Sequence, residues 1–143
     1  MIRGARDRAW IAAHLPHAGT MCLLDAVVDW DEGSLHARAA NHRATHHPLR
    51  RGGELPIAAG IEYGAQAAAA HGALASQKPS GAGMIAAVRS VAFHARRLDD
   101  VAGDLEIHVE QLGGGAAGVI YRFEVSSSGL VLVEGRVTVA FAR

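Results

Sequence analysis

Two stretches carry residue types that could do acid–base chemistry. "GIEYGAQAAAAHGAL", residues 60 to 74, is an alanine-rich run with one carboxylate, Glu62, near its start. At about 100° per residue along a helix, Glu62 and Gln66 share a face, while His71, nine positions beyond Glu62, points to the opposite side. The i±3 and i±4 neighbours of Glu62 are Ala58, Ala59, Ala65 and Gln66, so no cation on the same helix neutralises it. Two readings stay open here. A carboxyl group desolvated among alanines favours its neutral form, which can donate a proton as a general acid. Alternatively, Glu62 caps or pairs with a loop group near the helix start, where the helix dipole favours negative charge. The second stretch is "HLPHAGTMCLLD", residues 14 to 25. Pro16 stiffens this turn and Gly19 frees it, so His17 is presented on a defined loop. An imidazole suits general-base work near neutral pH, but His14 lies three residues earlier and spacing alone does not choose between them.

Other polar clusters have blander readings. "HRATHH", residues 42 to 47, lacks the fixed ligand spacing of a metal centre and reads as a solvated or tunnel-lining loop. "LRRGG", residues 49 to 53, lacks the preceding strand and following helix that give a phosphate-binding turn its meaning. Cys22 follows Met21 into an apolar strand and reads as core rather than nucleophile.

The elements that must position these residues are legible from periodicity. In "DLEIHVEQL", Leu105, Ile107 and Val109 alternate with Glu106, His108 and Glu110. "VIYRFEV" sets Val119, Tyr121, Phe123 and Val125 against Arg122 and Glu124, and "LVLVEGRVTVAF" aligns Val131, Val133, Val137, Val139 and Phe141. Glycine and serine clusters between these runs predict neighbouring antiparallel strands. Upstream, "MIAAVRSVAFHARR" reads as a fourth strand and "CLLDAVVDWDEGSLHARAAN" as a hairpin turning at Glu32 and Gly33, for about six strands in all. Between them lies the one long helical candidate, opened by Pro56 in its first turn and running to about Ala75. Its alanines and glycines are too small to build a core alone but let a sheet wrap closely around it. A short helix over roughly residues 5 to 13 precedes everything.

Composition bounds the rest. The 143 residues, half of them hydrophobic, suit one domain spanning 1–143. Fourteen basic and fourteen acidic residues cancel, which argues against the basic field of a nucleic-acid binder. The single cysteine excludes an intramolecular disulfide and fits a reducing compartment. With no signal-like segment at the N-terminus and no convincing membrane span, the expected location is the cytoplasm.

"LPHAGTMCLLDAVVDWD" resembles the "LPH...P.LL.D.V" opening of the hotdog-fold beta-hydroxyacyl-acyl-carrier-protein dehydratases, and "GIEYGAQAAAAHG" is similar to their central-helix motif "EAMAQAAG". The helix pattern from Leu55 to Gly72 also resembles that of the small dehydratase-like proteins of aryl polyene pigment pathways. The resemblance spans most of the chain and implies an α+β hotdog fold, an antiparallel sheet of about six strands wrapped around one long central helix. It implies that His17 is the catalytic base and Glu62 the catalytic acid, supplied by different subunits of a dimer whose sheets join edge to edge. It further implies an oxyanion-binding backbone N–H at Ile57, five residues before the acid, where the family's "FPG" turn has glycine and this chain has "LPI". By the same resemblance Gln66 orients Glu62 or the loop, and Asp25 has a structural role. The implied reaction dehydrates a 3-hydroxyacyl thioester, carried by phosphopantetheine on acyl carrier protein, to the trans-2-enoyl thioester in fatty acid or polyene-type synthesis. No metal or organic cofactor is implied. Arg50, Arg51, Arg96 and Arg97 are candidates for docking the acidic carrier. The chain is expected as a homodimer, a higher oligomer, or a heteromer with another hotdog subunit. The alternatives are a thioesterase, in which Glu62 activates water, and a non-catalytic hotdog subunit partnering another dehydratase.

Overall fold

Asp7 sets the start of the first helix. Its side chain accepts a hydrogen bond from Trp10 N at 2.9 Å, so α1 spans Arg8–His14 rather than the expected residues 5 to 13. The computed structural model describes residues 4–15, 21–76, 84–115 and 118–140. The hairpin expected at Glu32 and Gly33 is present, as β1 (Ala26–Trp30) and β2 (Ser34–Ala39). The Asp31 carboxylate closes its turn by accepting from Gly33 N at 2.9 Å and Ser34 N at 2.8 Å.

The central helix α2 spans Ala59–Ser76. It begins later than its Pro56 signal suggested because residues 55 to 57 are paired with another part of the chain. Ile57 N donates to Arg96 O at 3.1 Å, Leu98 N donates to Leu55 O at 2.8 Å, and Pro56 bridges Arg97. The chain then tightens through three-residue turns, with Ala59, Gly60 and Ile61 N–H groups donating to the carbonyls of Pro56, Ile57 and Ala58.

Four strands follow: β3 (Met84–Phe93), β4 (Leu105–Gly115), β5 (Gly118–Ser127) and β6 (Leu130–Ala140). The sheet has six strands in the order β1-β2-β4-β5-β6-β3, every neighbouring pair antiparallel. The β5–β6 hairpin turns through Ser128 and Gly129, whose φ values of 52° and 81° provide the two positive dihedrals of a type I′ turn. The period-two pattern holds on β4 and β5, where Leu105, Ile107, Val109, Tyr121, Phe123 and Val125 are all buried. Val131 is only half buried, because the register shifts between Val125 and Ser126, and Phe141 lies outside the described residues.

Helix α2 lies across β2, β4, β5 and β6. The approach is close at Gly64, where a Cβ would sit 2.7 Å from the Phe123 ring, and at Gly60, where it would meet Val133. His71 faces the sheet, as its angle predicts. Its Nε2–H donates to Asp31 O at 3.0 Å and its Nδ1 accepts from Tyr121 OH at 2.8 Å. Glu62, half a helical revolution away, therefore faces away from the sheet. Among the described residues no helix is long and apolar enough to cross a membrane.

Candidate active site

Glu62 lies in the first turn of α2 and is half buried. Among the described residues its carboxyl group has no hydrogen bond or ion pair. The reading in which it pairs with a local loop group therefore gains no support from them. One turn on, Gln66 is only 1% exposed and uses both ends of its amide. Its Oε1 accepts from Leu23 N at 2.9 Å and its Nε2 donates to Met21 O at 2.8 Å. A buried amide satisfied on both sides is a rigid connector. Gln66 thus fastens the segment that follows residues 16–20 to the same region of α2 that carries Glu62. His17 lies outside the described residues, as do Pro16, Ala18, Gly19 and Thr20.

Asp25 holds the neighbouring framework. Its Oδ2 accepts from Ala40 N at 2.7 Å and its Oδ1 pairs with Arg8 Nη1 at 2.8 Å. Arg8 Nη2 also donates to Cys22 O at 2.8 Å, so α1, the Cys22–Asp25 segment and the end of β2 are tied through one ion pair. Cys22 is buried, and burial pushes its thiol above the ordinary range, as befits a core residue.

The oxyanion donor expected at Ile57 is not available there, because the Ile57 amide already donates to Arg96 O. The next residue differs. The N–H of Ala58 has no acceptor among the described residues, and Ala58 precedes Glu62 by one turn on the same helical face. The side-chain-bearing "LPI" turn thus leaves a free backbone donor displaced by one position.

A buried polar network beside Glu62 went unread in the sequence. His47 Nδ1 accepts from Leu49 N at 3.1 Å, so its Nε2 carries the proton and donates to Tyr63 OH at 3.0 Å. Tyr63 OH in turn donates to Asn41 Oδ1 at 2.6 Å. Of the expected solvated or tunnel-lining loop over residues 42 to 47, the solvated reading thus fails for His42 and His47. Both are buried, and desolvation lowers both imidazole pKa values, with Arg50 adding to the effect at His47. Burial likewise raises the Tyr63 phenol. Nothing in the local pattern announces this. The histidine that Tyr63 binds lies sixteen positions away.

The four arginines offered to a carrier are unequally free. Arg50 donates to the carbonyls of Arg43, Ala44 and Gly53 and so braces the loop before α2. Arg97 is held by Glu54 and Asp99, and the Arg97 contact keeps the Asp99 carboxyl well below the usual range. Arg96 pairs with Glu54 at 2.8 Å but stays 71% exposed, and Arg51 is also exposed. Among the described residues no group of three or more His, Cys, Asp or Glu is arranged to hold a metal.

The family model described as ApeP-like, ApeP dehydratase, matches residues 9–142. No curated protein sequence matches the chain. Among solved structures, the chain is similar to the dehydratase heterocomplex ApeI:P from Xenorhabdus doucetiae, with a TM-score of 0.79 and 24% identity over 93% of this chain and 91% of that one. It is also similar to a mutant thioesterase from Pseudomonas aeruginosa, with a TM-score of 0.63 and 18% identity over 96% and 94% of the two chains. The E. coli PaaI protein from the phenylacetic acid degradation operon gives 0.62 and 16% over 95% and 94%. These structural likenesses establish the hotdog fold expected from the two motifs.

Proposed function

The chain belongs to the ApeP dehydratase family, and on that premise we propose that it dehydrates a 3-hydroxyacyl thioester carried on acyl carrier protein to the trans-2-enoyl thioester. The observation that carries this reading is the setting of Glu62. Its carboxyl group has no partner among the described residues, on the helix face turned from the sheet, one turn from the glutamine that fastens Met21 and Leu23. A partner from a second protomer accounts for that vacancy. His17 of one protomer and Glu62 of the other then flank one thioester.

His17, neutral, removes a proton from C2 of the acyl chain. Charge builds on the thioester oxygen, where the free N–H of Ala58 at the start of α2 stabilises it. Glu62, protonated, delivers its proton to the C3 hydroxyl. The C3–O bond breaks, water leaves, and the C2–H electron pair becomes the C2–C3 double bond. Acid and base catalysis of this kind each contribute about 10²- to 10⁴-fold in rate. Exposed Arg51 and Arg96 receive the acidic carrier. The outer strand β3, with Val88 40% and Phe93 51% exposed, supports the sheet-edge pairing that this site requires.

A second reading is a subunit that pairs with another hotdog dehydratase. The occupied Ile57 amide and the likeness to a dehydratase heterocomplex support it. The purified chain, given a carrier-bound 3-hydroxyacyl substrate, separates these readings by mass spectrometry of the acyl group. Loss of water supports the dehydratase, and release of free thiol replaces it with a thioesterase. Turnover only after adding a second hotdog subunit, and insensitive to Glu62→Gln, assigns the chain to the partner role.

A further inference from the structure

Across β5 and β6 the outer face of the sheet sets like charges opposite one another instead of alternating them. One row, in register across five strands, holds Asp29, His36, His108, Glu124 and Glu134. The next row, two residues along each strand, holds Ser34, Glu110, Arg122, Arg136 and Arg89. Glu124 therefore stands directly opposite Glu134, and Arg122 directly opposite Arg136. Like charges directly across a strand pair cost stability. Exchanging Glu134 with Arg136 would pair opposite charges across β5 and β6, so a face meeting only water gains from the arrangement this chain lacks. Arg122 pairs with Glu110 at 3.0 Å and Glu134 with His94 at 2.9 Å, whereas neither Glu124 nor Arg136 has a side-chain hydrogen bond or ion pair among the described residues. Between the rows runs a cleft of about 390 Å³, bordered by His36, His108, Glu110, Arg122 and Glu124. The His36 and His108 rings stack along it at 4.1 Å.

We propose that this face docks on the same face of a second copy, turned about a two-fold axis that follows the row Leu35, Val109, Phe123 and Gly135. Those four residues are in register and lie midway between the two charged rows. The rotation lays each row on the other row of the second copy. Glu124 then faces Arg122 of the second copy, Glu134 faces Arg136, His108 faces Glu110, and His36 faces Ser34. No like-charged contact arises on β2, β4, β5 or β6. The arrangement is isologous, as a closed two-fold interface must be. Packed sheets lie about 10 Å apart, a gap that Glu and Arg side chains can span from both sides. Exposed ion pairs are individually weak, so the rows chiefly set orientation and exclude other registers. The interface involves neither Glu62 nor the β3 edge, and it stands whatever reaction the chain performs.

Sedimentation velocity tests it. Raising salt from about 0.05 M to about 1 M shortens the Debye length to about 3 Å, and the wild-type assembly is expected to halve in mass. Arg122→Glu with Arg136→Glu makes both rows acidic, and Glu124→Arg with Glu134→Arg makes both basic. Each double variant, with unchanged circular dichroism, is expected to self-associate at least about tenfold more weakly than wild type. Mixing the two doubles restores the larger assembly, and so does placing all four substitutions in one chain. Equal masses for wild type and both doubles at low salt would overturn the proposal. Doubles that fail to combine on mixing would do so as well.

Discussion

Replacing Gln66 by leucine isolates what the amide does, because the two side chains are close in size and the site is sealed. The change leaves two backbone groups without their partner, Leu23 N–H and Met21 C=O. Leu23 is fully buried, so its orphaned donor costs about 1–3 kcal/mol. Met21 is half buried and water can reach its carbonyl, which adds at most about 1 kcal/mol. Burying leucine in place of a polar amide returns roughly 1 kcal/mol. The net expectation is a loss of about 0–3 kcal/mol, each kcal/mol lowering Tm by about 4 °C. Urea denaturation at matched protein concentration reads it as a lower midpoint with an unchanged slope. Hydrogen exchange adds a local readout, since Leu23 N–H should lose protection. A stability change below about 0.5 kcal/mol, with Leu23 still protected, would refute the claim that Gln66 fastens this segment.

The other expectations concern packing and pH. Gly64→Ala pushes a Cβ to 2.7 Å from the Phe123 ring; overpacking costs about 1–3 kcal/mol, helix propensity returns up to about 1 kcal/mol, and thermal melts should show a net loss. A variant more stable than wild type would contradict the close approach of α2 to the sheet. Burial depresses His42, His47 and His108 below their ordinary value of 6.5, so the unfolded chain takes up protons that the folded chain refuses. Their contribution is fully present above that value and is lost as pH falls through it toward the folded values, so Tm should drop between neutral pH and about pH 5. A protein that melts higher at about pH 5.5 than at about pH 7.5 excludes this linkage.

Strand periodicity was legible because each strand of the β4–β5–β6 meander buries one face. The alternation in 105–110 and 119–125 reports directly on burial. The hairpin turns were legible because they depend on local chemistry, such as the Asp31 carboxylate and the Ser128–Gly129 dihedrals. The start of α2 was misplaced because Pro56 is a local signal, whereas the pairing of residues 55 to 57 with 96 to 98 is not. That same pairing removes the Ile57 amide from the site, and no reading of "LPI" alone reveals it. Glu62 and Gln66 stood out because a carboxylate and an amide in an alanine helix need partners. The identity of those partners, Met21 and Leu23 for Gln66, depends on a chain crossing more than forty residues away. The His47–Tyr63–Asn41 network stayed hidden for the same reason.

The most direct test of the two-protomer site is complementation between two disabled chains. His17→Ala and Glu62→Gln are each expected to abolish dehydration of the carrier-bound substrate while leaving the fold intact. Unfolding and refolding them together at equal amounts makes half the dimers mixed, and each mixed dimer regains one site with both groups intact. The account predicts recovery of about one quarter of wild-type activity. A mixture that stays as inactive as its components, although mixed dimers form, would contradict it.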